Sequence, residues 1–236
     1  VEASRGYLGI LWWVLEPLLY MTVFEFVVGI MLQRGGEGYV AFLLTGLVAW
    51  RWFDNTVRMG ANSLVANRGL IQQVYVPKIV FPSVTIVTNT AKFLVVLLLL
   101  LLFMILFSAP PTITWLILPL LLAIQLIFII SVTWFISAIV PFLPDMRIII
   151  DSGLTLLFFM SGIFFDISAL PSDIAGYLRI NPMAILIESY RNTMIQGLWP
   201  DWGRLGLVTL VSAILVIVSF RLHMHFDRKF AKIGLI

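Results

Sequence analysis

An all-α integral membrane protein is what this sequence predicts, and three observations predict it. Hydrophobic residues make up 61% of the 236 residues and charged ones only 11%, with a mean hydropathy of +1.06, far from the composition of water-soluble domains. Apolar runs recur near the ~20 residues a helix needs to cross hydrocarbon. Residues 94–102 are unbroken aliphatic sequence, whereas a barrel strand alternates apolar and polar positions, so helices must satisfy the backbone. Six spans are expected, at residues 11–32, 39–57, 84–107, 115–140, 148–165 and 205–222, within one domain covering residues 1–236.

The first span opens on Trp12, Trp13, Glu16 and Pro17. Tryptophan suits the bilayer interface, and proline in the first turns loses an N–H that has no helical partner anyway. Glu16 is costly in hydrocarbon unless it faces protein or water. With Glu25 and Lys92 it makes the set of intramembrane charges. Glu16 and Lys92 lie roughly 8 and 12 Å inside their spans at ~1.5 Å per residue, so a pair is possible; a snorkelling Lys92 is the alternative.

After the second span comes an inner island, residues 58–82, too long and too patterned for a plain loop. Residues 63–76 read as a short amphipathic helix, with Leu64, Leu70, Ile71 and Val74 on one face and Asn67, Arg68, Gln72 and Gln73 largely on another; Pro77 ends it. Such a helix rests on lipid or docks a soluble partner. The third and fourth spans are joined by the tight, uncharged residues 108–112, and the fifth follows at 148–165.

An outer island, residues 166–204, precedes the sixth span and reads as two helices. Leu170-Pro171-Ser172 caps a first helix through Ile180, and Asn181-Pro182 caps a second through Gln196, with Gly197 as its stop. The second helix, about fifteen residues or roughly 22 Å long, is too short to cross the bilayer. A re-entrant pair is therefore expected, in which Glu188 and Arg191 share a face and can pair.

Ten Lys and Arg side chains fall on or toward one side (Arg5, Arg51, Arg58, Arg68, Lys78, Arg147, Arg221, Arg228, Lys229, Lys232) against Arg34, Arg179, Arg191 and Arg204 on the other. That bias places both termini in the cytoplasm, and the basic tail from His223 suits anionic headgroups. The net charge of +3 and pI near 9.4 thus encode orientation and not nucleic-acid binding. The sequence opens on Val1, which leaves room for residues upstream, and no cleavable signal peptide is expected in it.

Catalytic constellations are missing from the sequence. It has neither a G-x-x-x-x-G-K-[ST] phosphate loop nor a G-x-G-x-x-G turn, so no ATPase site and no bound cofactor is expected. With no cysteine there is no thiolate metal site, and His223 and His225 lack companion ligands, so no metal is expected. Ser161-Gly162 has no histidine within a span to serve as base. Aromatic residues, in contrast, crowd the span ends and the outer island: Trp50, Trp52, Phe53, Phe158, Phe159, Tyr190, Trp199 and Trp202 among them. Flat aromatic faces let sugar rings stack and slide.

Four motifs in order carry a resemblance: Leu8-Gly9-x-Leu11-Trp12-x-x-x-Glu16-Pro17; Gly46-Leu47-Val48-Ala49-Trp50 with Phe53 and Asn55; Leu70-Ile71-x-x-Val74-Tyr75-Val76-Pro77-Lys78; and Leu170-Pro171, Asn181-Pro182, Tyr190-Arg191 and Gly197. Over nearly the whole chain the sequence resembles the ABC-2 type permeases that export bacterial O-antigen, capsular and teichoic-acid polysaccharides. The loop Pro144-Asp145-Met146-Arg147 departs from the family's Arg-Asp order.

The resemblance implies a multi-pass homodimer in the bacterial inner membrane, working with a cytoplasmic ABC nucleotide-binding subunit dimer that holds the ATP and Mg. It implies an undecaprenyl-linked polysaccharide substrate, O-antigen foremost. On that reading Trp12, Trp50, Phe53, Phe158, Phe159, Tyr190 and Trp199 contact the polymer, and Met183, Ile185, Leu186, Glu188 and Arg191 form an exit gate. Leu64, Arg68, Leu70, Ile71, Val74 and Tyr75 couple to the ATPase. An ABC-2 exporter of a small drug or lipid, and a self-sufficient ion-coupled transporter or channel, are the alternatives; the latter lacks the internal symmetry such transporters carry. A membrane-bound polymerase or ligase would need an aqueous domain for which the chain has no length.

Overall fold

The computed structural model describes residue 19 and residues 38–74, 76–107, 111–143 and 145–230, with side chains through residue 227. The expected first span with Trp12, Glu16 and Glu25, the coupling residue Tyr75, and the last residues of the basic tail lie outside the described residues. Among the described residues there are eight α-helices and no strand. Three helical segments are long and apolar enough to cross a membrane: Val80–Phe107, Ile113–Ile139 and Trp202–Asp227. They coincide with the expected third, fourth and sixth spans.

Helix α1, Tyr39–Ala66, is the spine. Gly38 starts it in the left-handed region (φ 91°). At 28 residues it is roughly 42 Å long at ~1.5 Å per residue, more than hydrocarbon is thick. The sequence placed the end of this span at residue 57 and a separate helix from residue 63. No proline interrupts residues 58–66, so the helix runs on, and the inner island keeps only α2, Arg68–Gln73. Leu64 consequently belongs to α1, buried with Ala138 beside Ile71, Phe81, Leu222 and Phe226.

Helix α3, Val80–Phe107, packs along α1. Trp52 stacks on Phe93 with centroids 4.0 Å apart, and its indole N–H donates to Thr90 Oγ1 at 3.3 Å. A 3₁₀ turn, Ile113–Ile117, leads into α4, Leu118–Ile139. Where α4 crosses α1, a Cβ on Gly60 would stand 2.1 Å from Thr133 Cγ2, so only glycine admits this approach. Gln125, fully buried on α4, donates to the Ala49 carbonyl at 2.8 Å.

Helix α8, Trp202–Phe230, lies against α4. Ser219 donates to the Ser131 carbonyl at 3.2 Å, and His223 Nε2 lies 3.1 Å from Ser137 Oγ and 3.0 Å from the Trp134 carbonyl. These are hydrogen bonds between helices where lipid offers no competing partner. Leu98 and Leu102 on α3, with Leu207, Leu210 and Ile214 on α8, are left exposed, as befits faces that meet lipid.

Helix α5, Met146–Met160, corrects the expected fifth span. Its 15 residues extend only about 22 Å, because the chain leaves the helix at Ser161 and turns at Gly162, whose φ of 69° is left-handed. Two short helices follow, α6 (Ser172–Leu178) and α7 (Pro182–Arg191), and α7 continues as a π-helical turn, Asn192–Gln196. Gly197 at φ 65° ends it, the stop expected from the sequence.

Candidate functional site

Arg191 organises the region between α5 and α8. It is 5% exposed, and its guanidinium fork donates to three backbone carbonyls: Nε to Phe42 at 3.1 Å, Nη1 to Gly162 at 2.6 Å and Nη2 to Ile163 at 2.8 Å. Its Cζ lies 3.3 Å from the Phe42 ring centroid, a cation–π contact. One side chain thus ties α7 to α1 and to the turn after α5. Burial pulls its pKa down to about 9, against the opposing pull of Asp166, Tyr39 and Glu188, which leaves it cationic at neutral pH.

Local geometry makes room for this anchor. A Cβ on Gly46 would meet Arg191 Nη2 at 2.8 Å, and one on Gly162 would meet Ile167 Cγ1 at 2.7 Å. Asn181 caps α7 by accepting from the Met183 N–H at 3.0 Å, while its amide donates to Ser161 Oγ at 2.8 Å, fastening α7 to the end of α5. Tyr39 donates to the Phe164 carbonyl at 3.2 Å.

The expected Glu188–Arg191 pair does not form. Glu188 accepts from Arg179 at 2.7 and 3.2 Å and lies 4.0 Å from Arg204; that hydrogen bond raises the Arg179 pKa. Arg191 turns inward, where the Gly162 and Ile163 carbonyls of the turn after α5 and the second lone pair of the Phe42 carbonyl match its fork, while the partly exposed Glu188 carboxylate is taken by Arg179. Between the two side chains opens a cavity of about 200 Å³, walled by Phe42, Asp166, Ser168, Glu188, Arg191, Asn192 and Gln196.

The apolar run expected to act as a gate is inside the protein. Met183, Ile185, Leu186 and Ile187 are each at most 5% exposed and join the main core. Tyr190 is likewise buried, and its hydroxyl finds no partner among the described residues.

The aromatic residues sort into two groups. Trp50, Phe53, Phe158, Phe159 and Phe164 form a continuous ladder: Trp50 to Phe53 at 5.4 Å, Trp50 to Phe158 at 5.7 Å, and Phe158 to Phe159 and Phe164 at 5.3 and 5.2 Å. Phe128 extends it beyond Phe53 at 5.2 Å. Trp50 and Phe53 are buried at its core, whereas Phe159, Trp199 and Trp202 are more than half exposed.

In and after α2, Arg68, Leu70 and Val74 are exposed and Ile71 packs partly inward beside Leu64. The apolar face expected of residues 63–76 is therefore divided, half toward the fold and half outward. Lys92 sits part-buried on α3. A polar cluster missed in the sequence joins α1 to α5: Arg58 holds Asp54 at 2.9 and 3.0 Å and also reaches Asp151. The four-residue spacing of Asp54 and Arg58 was its visible signal. Nearby, Asp227 of α8 accepts from the Lys78 backbone N–H at 3.0 Å.

Comparisons with known proteins cover most of the chain and agree with one another. Residues 2–195 match the family model described as ABC-2 type transporter. The chain is similar to an O-antigen export system permease protein RfbA of Myxococcus xanthus, 30% identical over 90% of this chain and 83% of the relative. It is 25% identical to the like-named protein of Klebsiella pneumoniae, over 99% of this chain and 90% of the relative. The polysialic acid transport protein KpsM of Escherichia coli is 24% identical over 92% of this chain and 85% of its own length.

Proposed function

The chain belongs to the ABC-2 type transporter family, and from that membership we propose that it is the membrane permease of an ATP-driven exporter of lipid-linked polysaccharide, O-antigen foremost. The carrying observation is the similarity to polysaccharide export permeases along 90% or more of the chain. The chain works as a homodimer in a bacterial inner membrane with both termini cytoplasmic, crossing six times as one domain. ATP and Mg belong to a separate ABC subunit dimer, and the polymer hangs from an undecaprenyl carrier.

Each region has a part in that cycle. The exposed Arg68, Leu70 and Val74 present a small apolar and basic face to the ATPase. The pair α6 and α7 dips into the membrane from outside and closes the exit, a reading supported by the buried run Met183–Ile187 and the Arg191 anchor. Phe159 and Trp199, both exposed, offer sliding surfaces to sugar rings.

Two measurements test this. The purified chain hydrolyses no ATP until its nucleotide-binding partner is added. Expressed with that partner in a strain lacking its own O-antigen permease, it restores surface polymer; intracellular accumulation of polymer despite a folded, ATPase-bound complex defeats the proposal.

A further inference from the structure

We propose that the cavity between Glu188 and Arg191 is a binding subsite for one neutral hexopyranose unit of the exported chain. The inference rests on the polysaccharide-export reading and adds to it a site and a ligand class. At about 200 Å³ the cavity lies below the roughly 300–1,000 Å³ of ordinary small-molecule pockets. It suits a single sugar ring and not a length of polymer.

The lining chemistry selects that ligand. Asn192 and Gln196 lie one turn apart on the π-helical segment and both face the cavity, and neither side-chain amide hydrogen bonds to any described residue. Glu188 stands one turn before them on the same stripe. A π-helical turn is rare and is found frequently at functional sites. Planar amides offer donor and acceptor side by side, the pattern that adjacent sugar hydroxyls answer.

Charge and shape narrow the class further. Arg191, which lines the cavity, has spent three of its five N–H groups on carbonyls, so two remain to donate. Asp166 accepts from Ser168 N–H and Oγ through Oδ1 alone, leaving Oδ2 as an acceptor. The two carboxylates of the lining are offset by the Arg191 guanidinium in the same wall and by Arg179 on Glu188, so no uncompensated charge is left for an acidic sugar to answer. Phe42 supplies the apolar wall. One ring held here as the polymer passes would act as a pawl at the exit, and weak binding is what such a site needs.

The test uses the full chain in detergent micelles without the ATPase, with methyl hexopyranosides of the gluco, manno and galacto series as probes and a methyl hexuronide as control, read by saturation-transfer NMR. At least one neutral glycoside should bind in the millimolar range. The double variant N192A/Q196A should weaken it about tenfold, the worth of one to two hydrogen bonds, with an unchanged unfolding midpoint, since neither amide holds the fold. Absence of binding by every neutral glycoside, binding unaffected by the double variant, or tighter binding of the uronide each overturns the subsite. None of these results touches the export reading, which stands or falls on restored surface polymer.

Discussion

Replacing Arg191 by lysine keeps the charge and removes the fork, which makes it the sharpest test of how the outer island is held. Three charge-assisted bonds at 3.1, 2.6 and 2.8 Å run to buried carbonyls. A single ammonium on a flexible stem can keep about one of them. Two lost bonds to a charged donor, at about 1.5–3 kcal/mol each, put R191K roughly 3–6 kcal/mol below the wild type, a large effect of the kind that follows when a buried network is broken. R179A serves as the control. Its partner Glu188 is partly exposed, as is Arg179 itself, so the pair contributes about 1 kcal/mol or less. Gly46→Ala should act in the same direction as R191K, because the new methyl meets Nη2 at 2.8 Å and the guanidinium cannot give way without loosening its bonds to the carbonyls. Unfolding of the chain in micelles by heat and by denaturant measures all three. If R191K falls within about 1 kcal/mol of the wild type, or if G46A is neutral, the carbonyl cage is not what fastens α7 to α1.

Four further outcomes follow from the packing. Gly60→Ala drives a methyl into Thr133 Cγ2, which would stand 2.1 Å away, and should lose about 1–3 kcal/mol; adding Thr133→Ser removes that methyl and should recover most of it in the same unfolding assay. Leu70→Asp and Val74→Asp alter exposed positions, so they should leave insertion and unfolding midpoint intact while reducing co-purification of the ATPase by tenfold or more, an apolar anchor being lost at about 1.4 kcal/mol or more. Leu64→Asp, at a position 3% exposed, should fail to fold. Ile185→Ser with Leu186→Ser opens a fully packed run and should raise resting conductance in planar bilayers before export falls; a sealed bilayer with normal export would make α7 a static cap.

Apolar length and local caps were legible in the sequence because they are local properties. The third, fourth and sixth spans are read from run length alone, and Asn181-Pro182 and Gly197 mark the ends of α7 and its π-helical extension. What escaped depends on contacts between distant segments. Arg191 was expected to pair with Glu188, since carboxylates are visible in a sequence and carbonyl cages are not. Two of the cage's three carbonyls, Gly162 and Ile163, belong to the turn in which Gly162 takes a positive φ at the end of α5, and the same turn shortens the fifth span. The inner island misread has a plainer cause: amphipathic spacing from residue 63 is real, but continuous helix from residue 39 sends Leu64 toward Ala138 and leaves only the following turn outside.

Burial also constrains where a polymer can travel. Trp50 and Phe53 are each 2% exposed, wedged between Phe158 on one side and Phe128 on the other, so sugars cannot reach them without parting α5 or α4 from α1. Helix α5 is the element to part. Of its residues only Ile150 and Leu154 are buried, and its ties to α1 are the Arg58–Asp151 contact at one end and the Phe158 ring at the other. Helix α4, in contrast, is held by Gln125, by the Gly60–Thr133 crossing and by three hydrogen bonds to α8. On the proposed reading, the path opens on the α5 side, where swinging the helix away uncovers the inner rungs of the ladder one after another while Arg191 still grips the turn at Gly162 as its pivot.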